Sequence, residues 1–336
     1  MNGNWTAEFE HWLAQHNRSR FAITCHSGTQ ALEIIAEFYA RDWFRNKSPR
    51  PTVVMPSMSY VATANAFDRA GWDIQFIDVD AYGMMATRHI ANDSNTHWDA
   101  VCLVGLYGHS VYHYADTQFW KGVRFKNQIV IEDGAQHWLS ASASRIGHAT
   151  AISFDPTKNL GNYGNGGAVI TDDSSLAEFA RAWCGNGKPS HVLPGTNSRM
   201  SELDCAQMMT KTRHLEQWQS RRQHIAKYWY SRLAGRKHVR SLIDLSNMDT
   251  HCFHKFVIEV DARDQLRQHL QERGVETRIH YDRALFEYPA LSHYSNPGVL
   301  SSAASLSRRV LSLPLYPELT DLEVDYIIDL VLNFAS

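Results

Sequence analysis

Three side chains that could do chemistry together follow two short apolar stretches near the middle of the sequence. The segment Gln128–Ile131 is short and β-branched, as expected of a buried strand, and Asp133 lies just past its carboxyl end. A second apolar run, Ala149–Phe154, carries Ser153 and leads to Lys158. Because ligands of open α/β sheets collect at the carboxyl ends of the strands, the acid, the hydroxyl and the amine are expected to converge there. An amine held near a buried acid indicates a Schiff-base lysine, with the acid paired to a pyridinium nitrogen.

The surrounding segments predict the elements that must position these residues. Strands and helices alternate up to about Thr171, as a doubly wound layer requires, and the strand–helix–strand order over residues 52–77 predicts a parallel pair with a right-handed crossover. The predicted strands are Phe21–Thr24, Thr52–Met55, Ile74–Ile77, Ala100–Leu106 and Gly167–Thr171, and the predicted helices are Phe9–Gln15, Gln30–Ala40 and Val61–Ala70. A helical pattern then runs from Ser201 to about Leu233.

The pattern changes near Ala234–Gly235, where we place a domain boundary. The segments that follow indicate a small α+β unit: strand Lys255–Val260, helix Arg263–Arg273, strand Thr277–His280 and helix Asp321–Phe334. The sequence therefore predicts a large domain over residues 1–234 and a small domain over residues 235–336.

Composition excludes several classes of function. The net charge of -2 gives no overall bias towards nucleic acid or membrane surfaces, so a nucleic-acid partner is not expected. No run of apolar residues is long enough to span a bilayer, and the first residues resemble no export signal, so a cytoplasmic location is expected. The five cysteines form no C-x-x-C pair, which favours buried thiols over a disulfide framework or a metal site.

The turn from Cys25 to Thr29 could bind an anion. It precedes a predicted helix, whose free N–H groups and dipole favour negative charge, although from the tripeptide Ser27-Gly28-Thr29 alone an ordinary helix cap is the more common explanation. Two glycine-rich segments do not predict nucleotide sites. The stretch 161–167 leads into a strand rather than a helix, and 185–188 is followed by Pro189 where a P-loop needs Ser or Thr.

Motifs spread over most of the chain make it resemble the DegT/DnrJ/EryC1/StrS family of sugar aminotransferases, which depend on pyridoxal 5'-phosphate. The motifs are S-G-T-Q-A-L (27–32), V-A-T-A-N-A (61–66), F-I-D-V-D (76–80), E-D-G-A-Q (132–136), S-F-x-x-T-K-N (153–159), G-G-A-V-I-T-D (166–172), N-S-R-M-S-E (197–202), T-R-I-H-Y (277–281) and L-S-L-P-L (311–315). The resemblance implies an α/β type I PLP-dependent transferase fold. This fold has a large three-layer αβα domain with a mostly parallel sheet and a smaller C-terminal α+β domain.

The resemblance also implies site residues and a dimer. The implied catalytic residues are Lys158 and Asp133. These two also bind the cofactor, together with Ser27, Gly28, Thr29, Tyr60, Gln136, Ser153 and Asn197. Relatives place the phosphate at the Ser27 turn, stack an aromatic such as Tyr60 on the ring, and insert Asn197 into the partner subunit's phosphate site. A homodimer with shared active sites is therefore expected. His280 and Tyr281 match a family motif near the substrate pocket, although a lone His at a strand end is more often structural.

The resulting prediction is transfer of an amino group from an amino acid, most often glutamate in relatives, to a nucleotide-linked keto sugar. Departures from the family pattern, such as Asn165 in place of an acidic residue and a short N-terminal arm, fall around the substrate mouth. Two alternatives stay open. One is a PLP-dependent decarboxylase or other carbanion enzyme acting on a non-sugar amine such as a modified nucleoside. The other is a PLP-sensing regulator, which would need a DNA-binding module that the chain has no spare residues to encode.

Overall fold

Ten short strands are present among the described residues, and the predicted site residues Asp133 and Ser153 lie at the ends of two of them. The computed structural model describes residues 3–46, 50–87, 98–111, 128–140, 146–244, 248–294 and 300–334. Its strands are β1 Phe21–Cys25, β2 Thr52–Pro56, β3 Asp73–Ile77, β4 Ala100–Val104, β5 Ile129–Asp133, β6 Ala149–Ser153, β7 Gly167–Thr171, β8 Val239–Ser241, β9 Phe256–Val260 and β10 Val310–Leu313.

Within the described residues, seven strands form one sheet in the order β1-β7-β6-β5-β4-β2-β3. The strands from β3 to β6 pair in parallel, whereas β7 is antiparallel to both of its neighbours, β1 and β6. Strand β1 consequently runs in the same direction as β6, and the two strands end at the same edge of the sheet. The mostly parallel sheet confirms the predicted α/β class.

Helices cover both faces of this sheet, and others pack against the smaller sheet. The described helices are Asn4–His16, Gly28–Asn46, Ala62–Arg69, Ser174–Cys184, Glu202–Thr212, Leu215–Leu233, Arg263–Gln271, Ser301–Ser307 and Asp321–Phe334. Alternate strand residues enter different cores because side chains alternate across a strand. In β7, Val169 packs with the core that includes the helix Gly28–Asn46, whereas Ile170 packs with the helix Asn4–His16. This alternation builds the three-layer arrangement.

The smaller sheet has the order β10-β9-β8, with antiparallel pairs. Its buried face packs with Ile225 and Trp229 of the helix Leu215–Leu233 and with the closing helix Asp321–Phe334. The closing helix has the predicted bounds. The domain boundary at 234/235 stays a prediction.

Two predicted elements are wrong. The segment Thr277–His280 is not a strand, because only Arg278 pairs with the sheet, through an isolated bridge to Ser312. The helical stretch from Ser201 to Leu233 is two helices that meet near His214. It is interrupted because its halves pack in different places: Met208 enters the core beneath the large sheet, whereas Trp229 enters the core of the small sheet.

All five cysteines are buried free thiols, as predicted. None of the described helices is long and apolar enough to cross a bilayer.

Candidate active site

A cavity of about 540 Å³ lies at the carboxyl edge of β1, β2, β5 and β6. We call it the central cavity. Of the residues predicted from the sequence, it brings together Ser27, Gly28, Thr29, Tyr60, Asp133, Gln136, Ser153, Lys158, His280 and Tyr281. Asn197 is the exception, since it is exposed and pairs with Gly185 through an isolated bridge away from this cavity. The lining thus draws on chain positions from His26 to Tyr281.

The first corner of the central cavity is the start of the helix Gly28–Asn46. Ser27 caps this helix, because its Oγ accepts a hydrogen bond from Gln30 N at 3.1 Å. A Cβ atom added to Gly28 would lie 2.5 Å from the Cβ of Ser153, so only glycine allows this close approach. The helix start and the Ser153 hydroxyl therefore face a common space that suits a phosphate group.

The second corner holds Asp133, the last residue of β5 rather than a residue just past it. Its Oδ2 accepts a hydrogen bond from Thr63 Oγ1 at 2.7 Å, and its Oδ1 accepts one from Ala135 N at 3.1 Å. Since the Thr63 proton goes to Asp133, the Ser59 hydroxyl is the donor in its 2.7 Å contact with Thr63 Oγ1. Ser59, Thr63 and Asp133 are all buried. This relay fixes the position of the carboxylate.

Gln136 and Tyr281 form a neutral wall beside Asp133. The Gln136 amide accepts a hydrogen bond from Tyr107 N at 2.8 Å through Oε1 and donates one to Tyr281 Oη at 3.2 Å through Nε2. Burial raises the pKa of Tyr281, with Asp133 adding to the effect, so the phenol stays protonated. The ring of Tyr60, which is 55% exposed, lies 5.8 Å from that of Tyr281 and faces the cavity from the solvent side.

Lys158 enters from the loop after β6, where its backbone N–H donates to Asp155 O at 2.8 Å. Burial lowers the pKa of Lys158, against the opposing effects of the Asp133 and Asp155 carboxylates. A lowered pKa increases the fraction of neutral amine, which is the form that attacks a carbonyl.

His280 lies beside Lys158, and its Nδ1 is 2.8 Å from Ser312 Oγ. Burial, together with the nearby Lys255 and Lys158 cations, lowers the pKa of His280 to about 3, so its ring is neutral at pH 7. The substrate-binding roles of His280 and Tyr281 stay predictions.

Two residues of the site, Thr63 and Lys255, are not predicted from the sequence. Thr63 lies inside the V-A-T-A-N-A motif, but its role as a donor to Asp133 depends on a contact across 70 positions. Lys255 lies just before β9, where a lysine resembles any solvated charge at a strand end. In the structure it lines the central cavity, and burial together with Lys158 and Arg222 lowers its pKa to about 8.

Comparisons with known proteins agree with this geometry. The model of the DegT/DnrJ/EryC1/StrS aminotransferase family matches residues 1–332. The chain is 31% identical over 338 residues to the dTDP-3-amino-3,4,6-trideoxy-alpha-D-glucose transaminase of Streptomyces venezuelae, covering 98% of this chain and 86% of that protein. It is also 30% identical over 346 residues to a pleiotropic regulatory protein of Geobacillus stearothermophilus, covering 99% of this chain and 90% of that protein.

Solved structures of this family have the same fold as this chain. The S. venezuelae DesV structure, a complex with a ketimine intermediate, superimposes with a TM-score of 0.89 at 31% identity, covering 99% of this chain and 90% of that one. The Bacillus subtilis ntda structure, which has the cofactor PMP bound, gives a TM-score of 0.84 at 25% identity, covering 99% and 77%.

Proposed function

Because the chain belongs to the DegT/DnrJ/EryC1/StrS aminotransferase family, we propose that it transfers an amino group from an amino acid to a nucleotide-linked keto sugar, with pyridoxal 5'-phosphate as its cofactor. The observation that carries this proposal is the placement of Lys158 and Asp133 in one cavity, with a glycine-lined helix start at another corner. An amine, a fixed carboxylate and an anion site are the three groups that this cofactor requires.

The residues of the central cavity fit the cofactor. The corner at Gly28 is closed to any larger side chain, as a phosphate cradle should be, and Ser27, Thr29 and Ser153 add hydroxyl groups there. Asp133, held by Thr63, would pair with the protonated ring nitrogen. When bound, the cofactor supplies an electron sink for a carbanion formed next to the transferred nitrogen.

The chain's own groups then have distinct tasks. Lys158 would hold the cofactor and, once released as a neutral amine, move the proton at the donor's Cα. The Thr63 relay would keep Asp133 in place beside the ring nitrogen of the cofactor. Tyr281 and His280 are uncharged at pH 7 and would orient the substrates without adding charge.

The acceptor is proposed from the relatives. Besides the S. venezuelae transaminase, they include a UDP-2-acetamido-2-deoxy-3-oxo-D-glucuronate aminotransferase of Pseudomonas aeruginosa, 27% identical, and a GDP-perosamine synthase of Escherichia coli O157:H7, 25% identical. These names favour a nucleotide-linked sugar over the modified nucleoside of the alternative prediction. The decarboxylase alternative is not favoured. The predicted cytoplasmic location stays a prediction.

We also propose a homodimer in which Asn197 reaches the partner's phosphate site. Asn197 is exposed and lies outside its own central cavity. Large apolar side chains at Tyr163, Val192 and Leu203 are 80%, 84% and 79% exposed, a state that a second copy would relieve. Mixing Lys158→Ala chains with Asn197→Asp chains tests this proposal, because shared sites should restore activity in the mixed dimer. A monomer with full turnover in light scattering and assay would overturn it.

Two measurements test the reaction itself. Borohydride reduction followed by peptide mapping should put the pyridoxyl mass on Lys158, and a label on another lysine would defeat the assignment. A panel of nucleotide-linked 3-keto and 4-keto sugars with glutamate should yield an amino sugar. Amination of a free nucleoside but of no sugar would overturn the substrate class.

A further inference from the structure

A second cavity, of about 780 Å³, lies between the loop that carries Lys158 and the segment Ser312–Leu319. We call it the cleft cavity. Its lining shares Thr157, Lys158, Lys255 and His280 with the central cavity. A molecule in the cleft cavity can therefore have one end at Lys158.

Two cations, the buried Arg222 and the half-buried Lys255, line the cleft cavity. Arg222 is 7% exposed, and its Nη1 donates to Leu315 O at 2.7 Å, while Nε has no acceptor among the described residues. Lys255 has its backbone N–H bonded to Tyr107 O at 3.0 Å. In the described ranges no carboxylate lies within ion-pair distance of either cation. Glu318 affects the pKa of Arg222, and Asp155 affects the pKa of Lys255, from further away.

This arrangement is unfavourable in an empty protein. Burying a cation costs free energy unless an anion or several acceptors compensate it, and two cations near one another raise that cost. The rim cation Arg278 differs, since it pairs with the exposed Glu276. The uncompensated charge is therefore concentrated at the floor, next to Lys158.

We propose that Lys255 and Arg222 form a subsite for the distal carboxylate of a dicarboxylic amino-acid donor whose amino group reaches Lys158. The inference rests on the proposed transamination, because it assigns the donor to that reaction. Guanidinium and ammonium groups bind carboxylates through short charge-assisted hydrogen bonds. The phosphate corner at Gly28 lies in the central cavity and is built from backbone and hydroxyl groups, so the two anion sites differ in chemistry as well as in place.

Calorimetric titration with glutarate tests the subsite without any reaction, since glutarate has no amino group. The holoenzyme should bind glutarate, and Lys255→Gln should bind it about tenfold to a hundredfold more weakly. Lys255→Arg should retain binding, which separates a lost charge from a damaged fold. The matched control is Lys237→Gln, which removes an exposed lysine and should bind glutarate as the parent does. Equal glutarate affinity in the parent and Lys255→Gln overturns the proposal.

Steady-state kinetics then assign the carboxylate. In Lys255→Gln the KM for L-glutamate should rise while the KM for L-alanine stays unchanged, with kcat little altered. A rise for both donors would mean that Lys255 contacts the α-carboxylate instead, and would overturn the distal assignment. Failure of the sugar panel with glutarate binding intact would remove the proposed acceptor and leave the subsite standing. Absence of glutarate binding with normal sugar amination would remove the subsite and leave the proposed acceptor standing.

Discussion

The two ends of the central cavity treat charge in opposite ways. At one end a single carboxylate, Asp133, is held by neutral donors: the Thr63 hydroxyl and the Ala135 N–H. At the other end the amines of Lys158 and Lys255 approach each other closely enough for Lys158 to lower the pKa of Lys255. The carboxylate at one end already has hydrogen-bond donors within the protein, whereas the positive charge of the amines at the other end is not balanced by an ion pair with any described residue.

This difference indicates a division of labour between the ends. A carboxylate fixed by hydrogen bonds suits a group whose position must not change during turnover. Amines without a counter-ion suit a place where ligands arrive and leave, because each arrival relieves an electrostatic cost.

The largest effect is expected at the lysine end. Lys158→Ala removes the amine proposed to hold the cofactor and move the proton, so kcat should fall by up to about 10⁴-fold. The measurement is formation of the amino sugar with saturating substrates. Lys237→Ala, which removes an exposed lysine, serves as the control and should keep parental activity. Retention of a tenth of the activity by Lys158→Ala would end the catalytic assignment.

Asp133→Asn probes the satisfied end. The amide keeps the size of the side chain but loses the charge, so turnover should fall by about 10- to 150-fold, the worth of a charged hydrogen bond. Cofactor affinity, measured by equilibrium dialysis, should weaken in parallel. Unchanged affinity would show that the carboxylate does not contact the cofactor.

Thr63→Val tests whether the relay, rather than Asp133 alone, fixes this end. The methyl group cannot donate to Asp133 Oδ2, so cofactor affinity should fall roughly fivefold to tenfold. Thr63→Ser keeps the hydroxyl and should restore most of the affinity. If Thr63→Val and Thr63→Ser bind the cofactor equally well, the relay has no role at this end.

The smallest effect is a pH dependence at the charged end. Burial first, and then Lys158, lower the pKa of Lys255 to about 8, so its ammonium predominates below pH 8 and is lost as the pH rises above it. Affinity for glutarate should therefore be about fourfold weaker at pH 8.5 than at pH 7, by proton linkage with that pKa. Lys255→Arg should show no such decline, because arginine stays charged. A flat profile in the parent protein would contradict the role of Lys255.

Much of the large domain could be predicted from sequence because its strands are short apolar runs, which are typical of buried strands. Asp133, Ser153 and Lys158 follow such runs and do line one cavity. Thr277–His280 shows the limit, since it is predicted as a strand although only Arg278 finds a partner. Periodicity describes one segment at a time, and pairing depends on its neighbours.

For the same reason, the residues that set the electrostatics of the site could not be predicted from the sequence. Thr63 and Arg222 each have an ordinary place on a helix, and their roles arise from atoms that are distant in sequence. Lys255 became notable only when the fold buried it beside Lys158. The functional charge of a lysine depends on its surroundings, which local sequence does not specify.

The lining of the central cavity has a consequence for the stability of the whole protein. It joins residues near the start of the chain, such as His26, to Tyr281, and so exists only when both sheets are assembled. A ligand of this cavity binds the native state and not the unfolded chain. Each tenfold excess of free ligand over its Kd therefore adds about 1.4 kcal/mol to the free energy of unfolding. The concentration of the proposed cofactor would therefore affect how much of this protein survives proteolysis.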